Sequence, residues 1–425
     1  MSQSSSFRTL TSVIFALTLI GMTVGVAAAH GTPTAKKHAH VLIWDFFPSS
    51  PANTPERVAL RKVAAAWAKK TGNSVADPVP PTSSESSFIA GAKSGKAADI
   101  IFVPDDQMGV LWGDHLLANV KLNKSKYVKQ ALAGVTIAGK QWAYPWALET
   151  MMLYYNKHLI SSSQMSKLTT WDKVAAWSKS FHKKTGAYGI GWQWDNVYYG
   201  ADFLTGYPGS GIFAHTKNGF NTKKVLVNSS GTIKSLEYLK SFINKSGSGI
   251  PAFMGNSGNN NYPVLFEEGK EAICFIGPWG DGEFKGKADY GVQAPPKFPN
   301  GKFGAPFLGV QTMAVNKYSK NLKAAESLAA YLNTHMELPL FNASGRIPAI
   351  KSVLKQVSSH GAKAAELKQY SNAFKHTLPL PDVPQMGNVW TPLGSAMSLY
   401  LNGKESAKKA LDDAAAAIKK ADAGK

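Results

Sequence analysis

A chain of 425 residues exceeds what one ordinary hydrophobic core supports and predicts two domains. Apolar residues make up 44% and aromatics 11%, which excludes a disordered protein. The 47 Lys and Arg outnumber the 27 Asp and Glu for a formal charge of +20, but the cations are scattered and no nucleic-acid motif accompanies them, so nucleic acid is not the expected partner. An acidic outer medium, or contact with anionic polymers of a cell envelope, accounts for the bias at least as well. The single cysteine, Cys274, excludes a disulfide within the chain and a thiolate metal site, and it reads as a buried bystander.

Residues 1–29 carry one cation, Arg8, no acid, an apolar run from Val13 to Val26, and Ala27-Ala28-Ala29. That is the pattern of a secretory signal cleaved after Ala29. With no cysteine at the cleavage point for a lipobox, the protein is expected to be exported to the periplasm or the cell exterior. His30, His38 and His40 with Lys36 and Lys37 read as a solvated lead-in over 30–40 rather than a metal site.

His40 to Phe47 reads as a strand, and Pro55 to Lys70 as a helix, with Leu60, Val63, Ala64 and Trp67 on one face and Gly72 as its stop. A helix over Ser86 to Ala92, the strand Asp99 to Val103 and a Pro104-Asp105-Asp106 loop complete a βαβ unit, and with it a mainly parallel sheet. Ligands of such sheets meet the carboxyl ends of the strands, where Asp45, Asp105 and Asp106 fall. Gly139 to Leu159 then places one acid, Glu149, between strand-like apolar stretches; a carboxylate there must face water or meet hydrogen-bond donors.

Trp171 to His182 is helical, with core-facing rings. The glycine-studded stretch Ile190 to Phe213 gathers Trp192, Trp194, Tyr198 and Tyr199, half-polar rings suited to stacking. A short strand over Val225 to Val227, a helix over Gly231 to Asn244 and a polar loop over Gly255 to Tyr262 follow. The strand Glu271 to Ile276 then runs into Gly277-Pro278-Trp279-Gly280, a tight loop presenting an indole. Leu308 to Asn316 reads as a strand and Leu322 to His335 as a helix. Ser344 to Pro348 reads as a break, Ile350 to about Phe374 as helices, Leu378 to Trp390 as extended chain, and the end as two helices.

The ring-bearing loop positions are thus Trp44, Trp194, Tyr198, Tyr199, Trp279 and Trp390, and the isolated acids are Asp45, Asp105, Asp106 and Glu149. Pyranose C–H faces stack on aromatics, and their hydroxyls donate to carboxylates, so this mixture is that of a sugar site. A secreted glycoside hydrolase using Asp106 and Glu149 would need the same ingredients.

GKQWAYPWALETMMLYYNKHL, AADIIFVPDDQMG, FEEGKEAICFIGPWG and PDVPQMGNVW resemble segments of maltose and maltodextrin-binding proteins, the extracytoplasmic receptors of ABC sugar importers, and the resemblance is colinear from about Val41 to Ala415. It implies a two-lobed, type II periplasmic-binding-protein fold of the α/β class, each lobe a mainly parallel sheet flanked by helices. One lobe would comprise 41–148 plus 312–346, the other 152–307 plus 350–425, with hinge crossings at 149–151, 308–311 and 347–349. By the same resemblance Asp106 and Glu149 would meet sugar hydroxyls, Trp279 and Trp390 would be stacking platforms, and Tyr198 or Tyr199 a third; Trp44, Asp45, Trp146 and Trp194 are further candidates. In that family the positions of Val103, Gln107 and Gly394 usually hold Trp, Arg and Arg, and a usual Asp-Lys pair falls near Pro48 and Ser49. The resemblance implies no enzyme, cofactor or metal, a maltose or maltodextrin ligand, the permease subunits of an ABC importer as partner, and a monomer that closes by hinge bending.

Overall fold

The computed structural model describes residues 38–45, 47, 53–77, 84–216, 219–255, 262–359 and 361–423. The expected secretory signal, the Pro48-Ser49 position and most of the polar loop after Gly255 lie outside them.

From His38 onward the chain builds two sheets. The strand β1 (His40–Trp44) is followed by the helix α1 (Pro55–Thr71). That helix starts where the Thr54 side chain accepts from the Arg57 amide and Pro55 supplies a preset φ, and it stops where Gly72 turns left-handed at φ 75°. Then come β2 (Ser74–Ala76), α2 (Ser84–Ala92), β3 (Ile100–Pro104) and α3 (Asp105–Gly113). The helix α3 falls where the sequence reading placed only a loop. Pro104 before it and two acids in its first turn are helix-start features. Its short apolar stripe, with Gly109 and Gly113, hid the rest.

The chain continues through β4 (Tyr144–Glu149), β5 (Met152–Asn156), α4 (Trp171–Thr185), β6 (Tyr188–Gly191), α5 (Ser230–Ser246), β7 (Glu271–Ile276) and β8 (Tyr290–Gln293). It then runs through β9 (Phe307–Val315), α6 (Leu322–His335), β10 (Ile347–Pro348), β11 (Leu378–Pro379), α7 (Trp390–Leu401) and α8 (Ala407–Ala423). The short strand expected at Val225 to Val227 is instead Gly219–Val225, paired antiparallel with Phe213–Thr216. Its polar, largely exposed sequence gave no apolar signal.

The first sheet has seven strands in the order β10-β4-β9-β3-β1-β2, with β11 beside β9; the second has four in the order β8-β5-β7-β6. Parallel pairing is confined to β1 with β2 and β3, β9 with β11, and β7 with β6. The remaining pairs in both sheets are antiparallel, so the sheets are mixed rather than mainly parallel. The reason lies in the connections: β4 and β9 carry the chain between the sheets and so run back along their neighbours. The chain leaves the first sheet after Glu149, returns before Phe307 and leaves again after Pro348.

Alternation sets the faces of the first sheet. Ile100 and Phe102 join Val41, Ile43, Leu60 and Trp67 on the α1 and α6 side. Ile101 and Val103 join Phe88, Met108 and Leu111 on the α2 and α3 side. Every residue of β4 and β9 is buried, the expected signature of strands covered on both faces. The β9–β4 register shifts between Gln311 and Thr312, opposite Ala147 and Pro145. Proline has no amide hydrogen to give the ladder, which explains the irregularity. Trp146, beside it, packs in the core against Phe47 and Phe102, 6.1 and 5.9 Å away, and so does not serve a ligand as the sequence reading allowed. Cys274 is fully buried in β7, where burial raises its thiol well above the usual range. No helix among the described residues is long and apolar enough to cross a membrane.

Candidate functional site

Glu149 ends β4, and strand register decides what surrounds it. On one side β9 places Gly309 opposite it; on the other, β10 pairs Ile347 with Leu148, which brings Arg346 level with Glu149. Gly309 is required there: a Cβ would sit 3.0 Å from the Glu149 Cγ and 3.1 Å from the Tyr198 hydroxyl. Two residues along the same face of β9, Gln311 donates its amide to Glu149 Oε1 at 3.0 Å. Arg346 Nη1 donates to Oε2 at 2.8 Å, and the Tyr198 hydroxyl approaches Oε1 at 3.4 Å. The buried carboxylate thus has donors from the two strands flanking β4 and from the ring-rich stretch near Tyr198. With about four lone-pair positions and three donors, about one acceptor position is left for a ligand hydroxyl.

A wall of rings starts at this corner. The Arg346 guanidinium carbon lies 5.5 Å from the Trp279 ring centre. Trp279, half-buried between β7 and the short helix Gly280–Phe284, stands 6.0 Å from Tyr199 and 6.3 Å from Tyr198. Tyr198 lies 6.1 Å from Phe307, and Phe307 lies 6.4 Å from the half-buried Trp390. Burial raises the Tyr198 hydroxyl well above its usual range, with Glu149 adding to the effect, so it is a donor at any ordinary pH.

The Trp390 indole hydrogen-bonds to Asp106, in the first turn of α3. Burial pushes the Asp106 carboxyl up to about 7, helped by Glu85 and opposed by its own backbone amide and by Trp390. The neighbouring Asp105 accepts from the Val310 amide at 3.0 Å, and burial raises it well above the carboxylate range. Gly109 lets α3 lie directly on the backbone of Asp382 and Val383, the segment leading to Trp390; a Cβ there would collide with it.

The structure therefore joins Glu149, Tyr198, Tyr199, Trp279, Trp390 and Asp106 in one chain of contacts. Three other sequence candidates are held differently. Asp45 is an ion-pair residue: Arg57 Nε and Nη2 lie 2.5 and 2.7 Å from its two oxygens, and the Phe47 amide adds a bond at 3.0 Å. It falls on the same strand face as Val41 and Ile43, where α1 supplies Arg57. Trp44, on the opposite face, packs edge-on against Phe88 of α2. Trp194 is buried in the second-sheet core, its indole N–H without a partner.

Two members of the site went unnoticed in the sequence, Gln311 and Arg346. For Arg346 a signal existed. The chain holds only four arginines, and Arg57, Arg61 and Arg346 each lie on a carboxylate, those of Asp45, Asp77 and Glu149. In so lysine-rich a chain, arginine marks the places where a fixed fork meets an acid.

Fold and site together define a two-lobed, type II solute-binding protein of the α/β class. The family described as bacterial extracellular solute-binding protein matches residues 62–372, and the chain belongs to it. It is 31% identical over 336 residues to a galactooligosaccharide-binding protein of Bacillus subtilis, covering 77% of each chain. Against a maltooligosaccharide ABC transporter solute-binding lipoprotein of Streptococcus pneumoniae it is 30% identical over 337 residues, again 77% of each. Among solved structures it resembles the maltotriose-binding protein of Thermus thermophilus bound with maltotriose. There the TM-score is 0.78 at 29% identity, over 90% of this chain and 99% of that one. The maltose-maltodextrin-binding protein of Alicyclobacillus acidocaldarius gives 0.77 at 25%, over 89% and 100%. These relatives are oligosaccharide-binding proteins rather than enzymes.

Proposed function

We propose that this protein captures maltose or a maltodextrin between its lobes and delivers it to the membrane subunits of an ABC importer. The observation that carries the reading is the Glu149 corner continued by the ring wall of Trp279, Tyr198, Phe307 and Trp390. A carboxylate with one acceptor position to spare, beside flat apolar faces, suits the hydroxyls and C–H faces of a pyranose chain. Segments 149–151, 308–311 and 347–349 act as the hinge, and Asp106 and Trp390 close on the ligand from α3 and α7. The protein acts as a monomer outside the cytoplasmic membrane, exported by residues 1–29.

A galactooligosaccharide is the second reading, because a Bacillus subtilis relative of that name matches over the same share of the chain. Calorimetric titration with maltose, maltotriose and a β-linked galactobiose separates the two. Saturable binding to the α-glucans without release of glucose supports the first; binding to galactobiose alone replaces it with the second. Steady glucose release from maltotriose by the pure protein would overturn both in favour of a hydrolase.

A further inference from the structure

The charge of +20 is not spread evenly over the folded surface. Two stretches, 115–148 and 338–365, contain no acid at all, although they are far apart in the sequence. The fold lays them side by side: Tyr127 bridges to Ile350, the Val128 amide donates to the Ala349 carbonyl at 3.0 Å, and Lys351 Nζ donates to the Ser125 carbonyl at 3.0 Å. Lys124 and Lys126 flank Ser125, Lys129 opens the next helical turn, Lys121 precedes them, and Lys355 lies one turn beyond Lys351. All six are exposed, and among the described residues none forms an ion pair. The remaining cations of the second stretch with a described partner are spent: Arg346 on Glu149, and Lys363 on Asp281 and Glu366. The acid beneath this face, Glu337, is buried and accepts from the Ile350 amide.

We propose that this lysine face docks the protein on the anionic headgroups of a membrane surface. The chemistry of the face selects that partner. It presents ammonium groups alone, strongly hydrated point charges without the planar fork that arginine offers to nucleic-acid phosphates and bases. Tyr127 is buried, so no ring is offered for base stacking. The exposed large apolar residues Val58, Val264, Phe303 and Tyr318 belong to other segments, so the face lacks the apolar centre of a protein interface or an inserting anchor. What remains is adsorption by charge, reversible with salt and confined to about a Debye length. The inference does not depend on which sugar the protein binds.

The test uses sedimentation of the full protein with vesicles of phosphatidylcholine containing 30 mol% phosphatidylglycerol, at low salt. Two variants of identical net charge are compared. One carries Lys121→Gln, Lys124→Gln, Lys126→Gln and Lys129→Gln; the other carries Lys173→Gln, Lys179→Gln, Lys183→Gln and Lys184→Gln on α4. Circular dichroism and thermal melting confirm that both fold. Each lysine near the surface is worth about a fivefold change in partition, so the first variant is expected to lose about 10²-fold or more, and the second less than tenfold. Equal losses in the two variants, or no binding by the native protein to anionic vesicles, would overturn the proposal. Binding to soluble polyphosphate without binding to vesicles would equally overturn it, assigning the face to an anionic polymer.

Discussion

Arg346 and Glu149 meet across the β4–β10 pairing with 2.8 Å between Nη1 and Oε2, although 197 positions separate them in the chain. Their side chains are only 9% and 6% exposed. Removing one member of such a pair leaves a buried charge uncompensated, so Arg346→Met should cost about 3 to 5 kcal/mol in urea unfolding. Adding Glu149→Gln should recover part of that loss. Strictly additive costs in the double variant would show that the two groups are not coupled.

Asp45 supplies the contrast. Its carboxylate is satisfied by Arg57 and the Phe47 amide, so Asp45→Ala should destabilise by a similar amount, about 3 to 5 kcal/mol, while the folded protein keeps its sugar affinity within about twofold. A large loss of affinity at unchanged stability would return Asp45 to the ligand site.

Trp279→Ala and Trp390→Ala should each weaken sugar binding by about 1 to 3 kcal/mol, the scale of one stacked ring with its buried area. Trp44→Phe, which keeps the edge contact with Phe88, should leave affinity unchanged. Calorimetry reads all three; native affinity in both alanine variants would show that the sugar binds elsewhere.

Stability should fall as pH rises. Burial pushes Asp106 and Asp202 up to about 7 and Asp382 to about 6, whereas an unfolded aspartate titrates near 4. Between those values the folded protein holds the extra protons. The associated stability is therefore fully present below about pH 4 and lost as pH rises through about 7. One such group contributes on the order of 2 to 4 kcal/mol over that window. Urea midpoints at pH 4.5 and 7.5 should differ in that direction, and Asp106→Asn should reduce the difference. A higher midpoint at pH 7.5 would contradict the assignment.

Gly109→Ala tests the approach of α3 to the Asp382–Val383 backbone. The added methyl meets main chain, not a movable side chain, so α3 must shift and draw Asp106 away from Trp390. A destabilisation of about 1 to 3 kcal/mol is expected, with weaker sugar binding. Gly139→Ala makes the opposite control: its Cβ would meet nothing, and only the left-handed φ of 76° resists it.

Periodicity and punctuation made much of the fold legible. Pro55 and Gly72 bracket α1 as their chemistry demands, and the apolar runs of β4 and β7 announce buried strands. What escaped were features set by distant partners. The antiparallel course of β9 follows from its return between sheets and not from its own residues. The site was half legible. Trp279, Trp390 and Glu149 stand out because rings in loops and acids in apolar runs are locally anomalous, whereas Gln311 and Arg346 look ordinary until register sets them on Glu149. Asp45 misled for the complementary reason: an acid at a strand end looks the same whether its partner is a ligand or Arg57 of α1.

The corner at Glu149 also bears on how a lineage of such proteins can diversify. Its donors come from positions 198, 311 and 346, three stretches that mutate independently, so any change in what this carboxylate prefers must survive in three places at once. The ring wall has no such constraint, and Tyr199, Trp279 and Trp390 can be exchanged one at a time. New diets should therefore be recorded first in the rings, while the acid and its arginine descend unchanged.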